Sequence, residues 1–529
     1  MGKGDGKKIA FLTLGCKLNY AETSTYERGF VQAGLEVVPW SHKADVYLVN
    51  TCSVTATSDA KSRNLVRKVL RVNPLAIVVV TGCSAQLRRS DYESIPGVAR
   101  VFGCNEKSLV VSETLDILGG RIQMEGSQNR RCATPPIGSP PLMKPRVATD
   151  FETPPSESSD ISSSIIEPRV ATDLETTPSG AGIILPAHKD PRVAIDFQNN
   201  TVVAGNKGSE RSDSGGLGGN APRPLGVQGD NSLLQAGKVF PAWSSGERTR
   251  SFLKVQDGCN NYCAYCTVPY ARGESRNVPV AECVANAKKA AALGVKEIVL
   301  TGVNTGDFGR TTGETFLQLL QALNEVDGIE RYRISSIEPN LLTEEIIDWI
   351  ASGTKFQPHF HIPLQTGTDE MLRAMGRKYD TALFASRIDY IRRAMEAPGK
   401  PLVFFGIDVM CGLPGETDEL FARTCEFLSG RIRPAFIHVF PYSRRPGTPA
   451  ASMPGQVPEA VKKERVAALE AICERLHSEF VEANRGVHER VLFESTDRSG
   501  WMEGYTGNYI RIRRPWDAEL CGKLIDVTI

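Results

Sequence analysis

Residues 257–273 read DGCNNYCAYCTVPYARG. Cys259, Cys263 and Cys266 share one short loop, spaced C-x3-C-x2-C. From about residue 248 to about 482 the surrounding chain alternates strand and helix signals. KEIVLTG, RYRISS, HFHIPLQ, VFFGIDVMCG and AFIHVFPYS read as strands, and VAECVANAKKAAALG is one of the helices between them. Repeated βα units without a glycine-rich dinucleotide fingerprint predict a barrel or partial barrel.

Three thiolates in so short a loop can ligate three irons of a [4Fe–4S] cluster. The fourth iron then lacks a protein ligand and can take an exogenous chelate. The amino and carboxylate groups of S-adenosylmethionine (SAM) are such a chelate. Tyr265, just before the third cysteine, suits packing over the cluster. The competing reading is a structural zinc site, which normally closes with four ligands. No fourth Cys or His is near, the next being Cys283.

Toward the N-terminus, residues 8–118 alternate in the same way. KIAFLTLG, DVYLVNTC and AIVVVTGC read as strands, AETSTYERGFVQAG and SDAKSRNLVRKVLRVN as helices. That pattern predicts a doubly wound parallel α/β domain. Each strand runs into a cysteine: Cys16, Cys52 and Cys83. Ligands in such sheets collect outside the carboxyl ends of the strands. Three cysteines 36 and 31 residues apart can therefore converge there. Taken singly, each reads as a buried structural thiol.

Residues 121–247 differ in kind, with Gly, Ser, Pro and Thr dominant and no hydrophobic period. PRVATDFET from Pro145, PRVATDLET from Pro168 and PRVAIDF from Pro191 repeat every 23 residues. Each copy has too few apolar residues to stack as a solenoid, so a disordered insertion is expected. At the other end, HERVLFES, GYTGNYIRIRR and CGKLIDVTI alternate between glycine turns and predict a small β-barrel over 485–529.

Composition bounds the partners. Lys and Arg total 62 against 61 Asp and Glu, so any RNA-binding surface must be local. No apolar run approaches the ~20 residues that span a bilayer. The opening MGKGDGKKIAFLTLGC lacks a signal-peptide core and a myristoylation pattern. A cytoplasmic protein is expected, and thirteen cysteines in a reducing compartment point to metal or redox chemistry.

CxxxCxxC with an aromatic before the last cysteine is the radical SAM signature. GCKLNYAE, NTCSVTATSDAKSR, TGCSAQ, TVPYARGESR, SSIEPN, PLQTGTDEMLRAMGRKY, GLPGET and FPYSRRPGTPA resemble, in order, the radical SAM methylthiotransferase family. The likeness covers about three quarters of the chain and fails only across the insertion. GCKLNYAE, NTCSVT, TGVNTGDFG, SSIEPN and HVFPYSRRPGT look most like its tRNA threonylcarbamoyladenosine 2-methylthiotransferase branch. The other branches act on isopentenyladenosine in tRNA and on a ribosomal-protein aspartate. A non-catalytic iron–sulfur RNA-binding protein fits poorly with an intact Cys259/Cys263/Cys266 set.

The resemblance implies four regions: an N-terminal domain over 1–120, the insertion over 121–247, the radical SAM core over 248–484 and a TRAM-like RNA-binding barrel over 485–529. It implies two [4Fe–4S] clusters, one on Cys259, Cys263 and Cys266 and an auxiliary one on Cys16, Cys52 and Cys83. In that family one SAM methylates a sulfur on the auxiliary cluster. A second SAM yields a 5′-deoxyadenosyl radical that removes hydrogen from the adenine carbon receiving the methylthio group. Cys104, Cys132, Cys283, Cys425, Cys473 and Cys521 match no ligand motif, and Cys411 reads as a buried thiol beside the SAM pocket.

Candidate SAM contacts are Ser335, His361, Gln365, Gly406, Gly412 and Glu416. Candidate RNA contacts are Arg63, Arg67 and Arg71, four apart on one helix stripe, with Arg511 and Arg513 beside Tyr505, Tyr509 and Trp516. The bland alternatives are satisfied strand side chains and a solvated helix face. Expected partners are tRNA and an external flavodoxin- or ferredoxin-like electron donor, with no membrane.

Overall fold

The computed structural model describes residues 6–129, 183–184, 239–245, 249–496 and 500–529. Most of the insertion expected to be disordered, with its 23-residue repeat and Cys132, lies outside the described residues; within it residues 121–129, 183–184 and 239–245 are described.

The N-terminal unit runs β1 (Lys8–Thr13), α1 (Lys17–Gln32), β2 (Glu36–Val37), β3 (Val46–Thr51), α2 (Ala56–Val72), β4 (Ile77–Gly82), α3 (Cys83–Leu87), α4 (Arg89–Glu93), β5 (Val98–Val101) and α5 (Val110–Asn129). The parallel sheet has the order β2-β1-β3-β4-β5. β3 and β4 are buried at every position, as strands covered on both faces must be. Val66 and Val69 of α2 pack one face, while Tyr26 and Phe30 of α1 and Val110 of α5 pack the other. The doubly wound expectation is met. α1 starts at Lys17, four residues before the expected Ala21, directly after its N-cap Cys16.

After β6 (Ile183–Ile184) the second unit comprises β7 (Arg250–Lys254), β8 (Gln256–Asp257), α6 (Val268–Arg272), β9 (Arg276–Asn277), α7 (Val280–Ala292), β10 (Glu297–Thr301), α8 (Phe316–Asn324), β11 (Arg331–Ile334), α9 (Glu344–Ala351), β12 (Phe356–His361), α10 (Asp369–Ala374), α11 (Thr381–Met395), β13 (Phe404–Cys411), α12 (Asp418–Glu426), β14 (Phe436–Pro441) and α13 (Glu459–Ala483). Six parallel strands in the order β14-β13-β12-β11-β10-β7 make an open, partial barrel. Alternation along each strand sorts the side chains. Leu253, Ile298, Tyr332 and Ile407 pack outward on the helices in the main core. Phe252 and Val299 point inward and are covered by Ala21 and Tyr20 of α1. The N-terminal unit thus lies against the barrel's inner wall.

The third unit is antiparallel: β15 (His488–Thr496), β16 (Trp501–Tyr505), β17 (Arg511–Pro515) and β18 (Leu524–Thr528), in the order β18-β15-β16-β17-β6. Val491, Phe493, Met502, Ile510 and Ile512 form its core. GYTGNYIRIRR is not one strand, because residues 506–510 make the turn between β16 and β17, with Tyr509 at φ 65°. That turn docks under the barrel. Arg333 donates to the carbonyls of Gly507 at 2.6 Å and Thr506 at 2.8 Å, and Arg331 donates to that of Tyr505 at 3.1 Å.

α5 continues to Asn129, past 120. Residues 239–245 pack on the core before 248, with Trp243 bridged to Leu253 and Phe240 stacked 5.3 Å from Tyr26. Among the described residues no helix is long and apolar enough to cross a membrane.

Candidate active site at the domain interface

The barrel loop that opens the site is shaped by its own backbone. Cys259 N–H donates to the Gly273 carbonyl at 3.0 Å, Cys266 N–H to that of Cys263 at 2.9 Å, and Ala264 N–H to that of Met375 at 3.0 Å. Each thiol sulfur has a donor of its own. Asn261 N–H reaches Cys259 Sγ at 3.5 Å, Val268 N–H reaches Cys266 Sγ at 3.4 Å, and Arg377 Nη1 reaches Cys263 Sγ at 3.1 Å. Glu338 holds Arg377 at 2.7 Å and Asn261 at 2.8 Å. Burial pushes the Cys259 thiol up to about 11 and raises Cys266 as well. A bound cation is what would hold such thiols as thiolates.

Cys16, Cys52 and Cys83 follow the ends of β1, β3 and β4, and Cys16 and Cys83 are close enough to act on Cys52. Gly15 has φ 102°, and a Cβ there would stand 2.8 Å from Cys52 Sγ, so only glycine lets the Cys16 turn lie on Cys52. Gly82, before Cys83, has φ 103° and leaves no room for a side chain, with the Thr51 carbonyl oxygen 2.3 Å from a built Cβ. Burial pushes Cys52 up to about 12, with Cys16 and Cys83 adding to the rise. Cys83 goes the other way, to about 6, through a hydrogen bond from Cys104, with Arg272 also lowering it. Cys104, which matches no ligand motif in the sequence, thus acts on this set. Its signal was VARVFGC, a fourth strand running into Gly-Cys, as in LTLGC and VVVTGC.

The two cysteine sets face each other through buried charge. Lys107 and Lys254 each contact Glu22 Oε1 at 2.7 Å. Lys254 also meets Asp257 at 2.6 Å, and Arg272 meets Asp257 at 2.9 Å. Arg272 donates from Nη2 to Asn19 Oδ1 at 2.6 Å and from Nε to Cys83 Sγ at 3.1 Å. Glu22, Asn19, Lys107 and Cys83 belong to the N-terminal unit, whereas Lys254, Asp257 and Arg272 belong to the barrel. A second seam joins the motifs NTCSVTATSDAKSR and FPYSRRPGTPA. Arg445 pairs with Asp59 and donates to Ser53 at 2.8 Å, and Ala56 N–H donates to Ser443 at 3.2 Å.

Three thiols apiece are a donor set that iron–sulfur clusters use. A tetrahedral zinc with thiolates at ~2.3 Å brings its sulfurs to about 3.8 Å of one another. Among the described residues, only His361, Asp408 and His438 bring three His, Cys, Asp or Glu ligand atoms within 4.8 Å of one another. Neither cysteine triple closes to that degree. His361 and Asp408 are already hydrogen-bonded to each other at 2.7 Å.

The candidate SAM residues gather at the ends of β11, β12 and β13. Ser335 follows β11 and His361 closes β12. Gly406 pairs with His361 in register, and a Cβ there would lie 3.9 Å from His438 Nε2. β12 ends at His361, and Gln365 beyond it turns to φ 71° and donates its N–H to the Asp408 carbonyl at 2.8 Å. Glu416 Oε2 accepts from Gly412 N–H at 2.6 Å and from Arg465 at 2.6 Å, while its Oε1 is buried without a hydrogen-bond partner among the described residues. Cys411 faces the helices, in the main core, and not the lumen.

Of the candidate RNA contacts, Arg67 and Arg71 are exposed on α2, while Arg63 lies 3.6 Å from Asp91. Arg511 and Arg513 share a face of β17, with Arg513 over the Trp501 ring at 4.9 Å. Trp516 is exposed. Tyr505 and Tyr509 are not available as stacking platforms. They stack on each other at 4.9 Å under the barrel, and Tyr509 sits 4.8 Å from the His359 ring.

A three-cysteine loop at the mouth of a partial parallel barrel defines a radical SAM enzyme, and the radical SAM superfamily pattern matches residues 253–428. Residues 8–103 match the pattern described as uncharacterized protein family UPF0004. The chain is 32% identical to threonylcarbamoyladenosine tRNA methylthiotransferase MtaB of Bacillus subtilis, over 98% of this chain and 93% of that one. It is 31% identical to the MtaB protein of Aquifex aeolicus, over 99% and 100%. A tRNA-2-methylthio-N(6)-dimethylallyladenosine synthase of Alkaliphilus oremlandii is 36% identical over 53% of this chain and 59% of its own. This chain belongs to the radical SAM methylthiotransferase family, in its threonylcarbamoyladenosine tRNA methylthiotransferase branch. It is a tRNA methylthiotransferase that uses SAM and a [4Fe–4S] cluster.

Proposed function

We propose that the enzyme methylthiolates C2 of N6-threonylcarbamoyladenosine next to the anticodon of tRNA, with two [4Fe–4S] clusters. Cys259, Cys263 and Cys266 would hold the SAM-binding cluster, and Cys16, Cys52 and Cys83 the auxiliary one. The observation that carries this reading is the contact of Arg272 with Cys83 at 3.1 Å. Arg272 lies six residues after Cys266, so one short segment of the barrel reaches both cysteine sets. The clusters supply reductive SAM cleavage and a transferable sulfur; the chain supplies position.

The residues around the lumen do the positioning. Ser335, His361, Gln365, Gly406 and Gly412 lie where SAM would rest, with Asp408 fixing the His361 ring. Arg377 and Arg272 each donate to a cysteine sulfur, and Lys107, Lys254, Glu22 and Asp257 lock the two units together. Arg67 and Arg71, with Arg511 and Arg513, offer cations to tRNA phosphates. An external flavodoxin- or ferredoxin-like protein would deliver electrons.

End-to-end matching to two threonylcarbamoyladenosine enzymes, against about half for the dimethylallyl synthase, supports the substrate branch. The deciding assay offers the reconstituted enzyme threonylcarbamoylated tRNA, isopentenylated tRNA and the ribosomal protein side by side, and reads the products by mass spectrometry. Modification of the first is expected. Modification of only one of the others would overturn the substrate while sparing the enzyme class.

A further inference from the structure

Lys17 follows Cys16 and is the first residue of α1. Positions 17, 20 and 21 share one helix face. Tyr20 meets the Phe252 ring at 5.8 Å, and Ala21 packs with Phe252 and Val299 on the barrel's inner wall. That packing directs Lys17 into the lumen. Its electrostatic neighbours there are Tyr509, Arg250, Asp408 and Arg333.

The other inward charges have partners. Arg250 meets Glu494 at 2.6 Å, Arg333 meets Glu297 at 2.7 Å, and His361 meets Asp408 at 2.7 Å. The deeply placed Lys107 and Lys254 both meet Glu22 at 2.7 Å. Lys17, half-buried, has no hydrogen bond or ion pair among the described residues. An ammonium withdrawn from bulk water and left unpaired costs free energy, which an incoming anion recovers. A lone lumen cation beside a cluster-ligand turn is therefore a receptor for an anionic part of the substrate.

We propose that Lys17 receives the carboxylate of the substrate's threonylcarbamoyl group, an inference that rests on the substrate reading above. The group carries the one negative charge on the modified base. An isopentenyl group is apolar and gives Lys17 nothing to bind. Because Lys17 adjoins Cys16, the turn that would hold the auxiliary cluster would also register the substituent on the base. Lys17 is on this account a specificity residue that contacts substrate.

The test uses reconstituted full-length enzyme and two tRNAs: threonylcarbamoylated tRNA, and the same tRNA with its threonyl carboxylate converted to the methyl amide. Wild-type enzyme should lose roughly 10- to 100-fold in kcat/KM on the amide, mostly through KM. Lys17→Gln should lose a similar factor on the acid and little more on the amide, and Lys17→Arg should recover part of the preference. Equal use of acid and amide by wild type would overturn the proposal, even if Lys17→Gln failed to fold. So would a Lys17→Gln enzyme that keeps the full preference, or one that loses SAM affinity in place of the acid preference. No turnover of threonylcarbamoylated tRNA by wild type would sink the substrate reading itself, and this proposal with it.

Discussion

Arg272 Nε, on the barrel, lies 3.1 Å from Cys83 Sγ, on the N-terminal unit. The guanidinium is held on three sides, by Asp257 at 2.9 Å, Glu22 at 3.3 Å and Asn19 at 2.6 Å. It is therefore fixed before any cluster arrives. Hydrogen bonds to cluster sulfurs raise reduction potentials. Arg272→Met should keep the barrel cluster and shift the auxiliary midpoint negative, on the order of 50 mV for the loss of about 1 kcal/mol of differential hydrogen bonding. A redox titration followed by electron paramagnetic resonance reads this, and an unmoved midpoint would count against the contact.

Glu22 is the shared acceptor of the interface. Burial pushes its carboxyl up, but Lys107, Lys254 and Arg272 outweigh that and hold it at about 2. A depressed carboxylate stabilises the folded state fully above its unfolded pKa of ~4.3, and that contribution fades as pH falls toward the folded value. Docking of the two units should thus hold at neutral pH and weaken between about pH 4.5 and 2. Glu22→Gln at neutral pH leaves three buried cations facing Asp257 alone and should cost about 3–5 kcal/mol. Thermal unfolding of wild type and variant would show it, and an unchanged melting temperature would mean the network is not what joins the units.

Tyr509 and Arg67 separate structure from RNA binding. Tyr509→Ala should loosen the C-terminal unit from the barrel, since its ring meets His359, Phe404 and Tyr505. It should lower the melting temperature and leave the salt slope of tRNA binding intact. Arg67→Gln with Arg71→Gln should do the reverse, reducing that slope by about one per lost phosphate contact. A Tyr509→Ala enzyme with normal melting but a reduced slope would restore the stacking role that the structure denies it.

What was legible in the sequence was local. Cys259, Cys263 and Cys266 lie within eight residues, and the strand-end positions of Cys16, Cys52 and Cys83 follow from short apolar runs that end in Gly-Cys or Thr-Cys. What was not legible is pairing across the chain. Nothing in the sequence around Arg272 points to Asn19 and Glu22, which α1 brings to it. Tyr509 reads as part of an edge strand because YIRIRR alternates, yet the left-handed turn at Tyr509 sends it under the barrel. Lys17 reads as loop, since nothing in KLNY announces that Cys16 caps the helix.

On the proposed function, the N-terminal cysteines hold a second four-iron cluster beside the SAM-binding one. Iron and acid-labile sulfide should be counted in anaerobically reconstituted wild type and in the Cys16→Ala, Cys52→Ala, Cys83→Ala triple variant. About eight irons should fall to about four, with SAM still cleaved to 5′-deoxyadenosine. A triple variant that keeps its full iron would contradict the account.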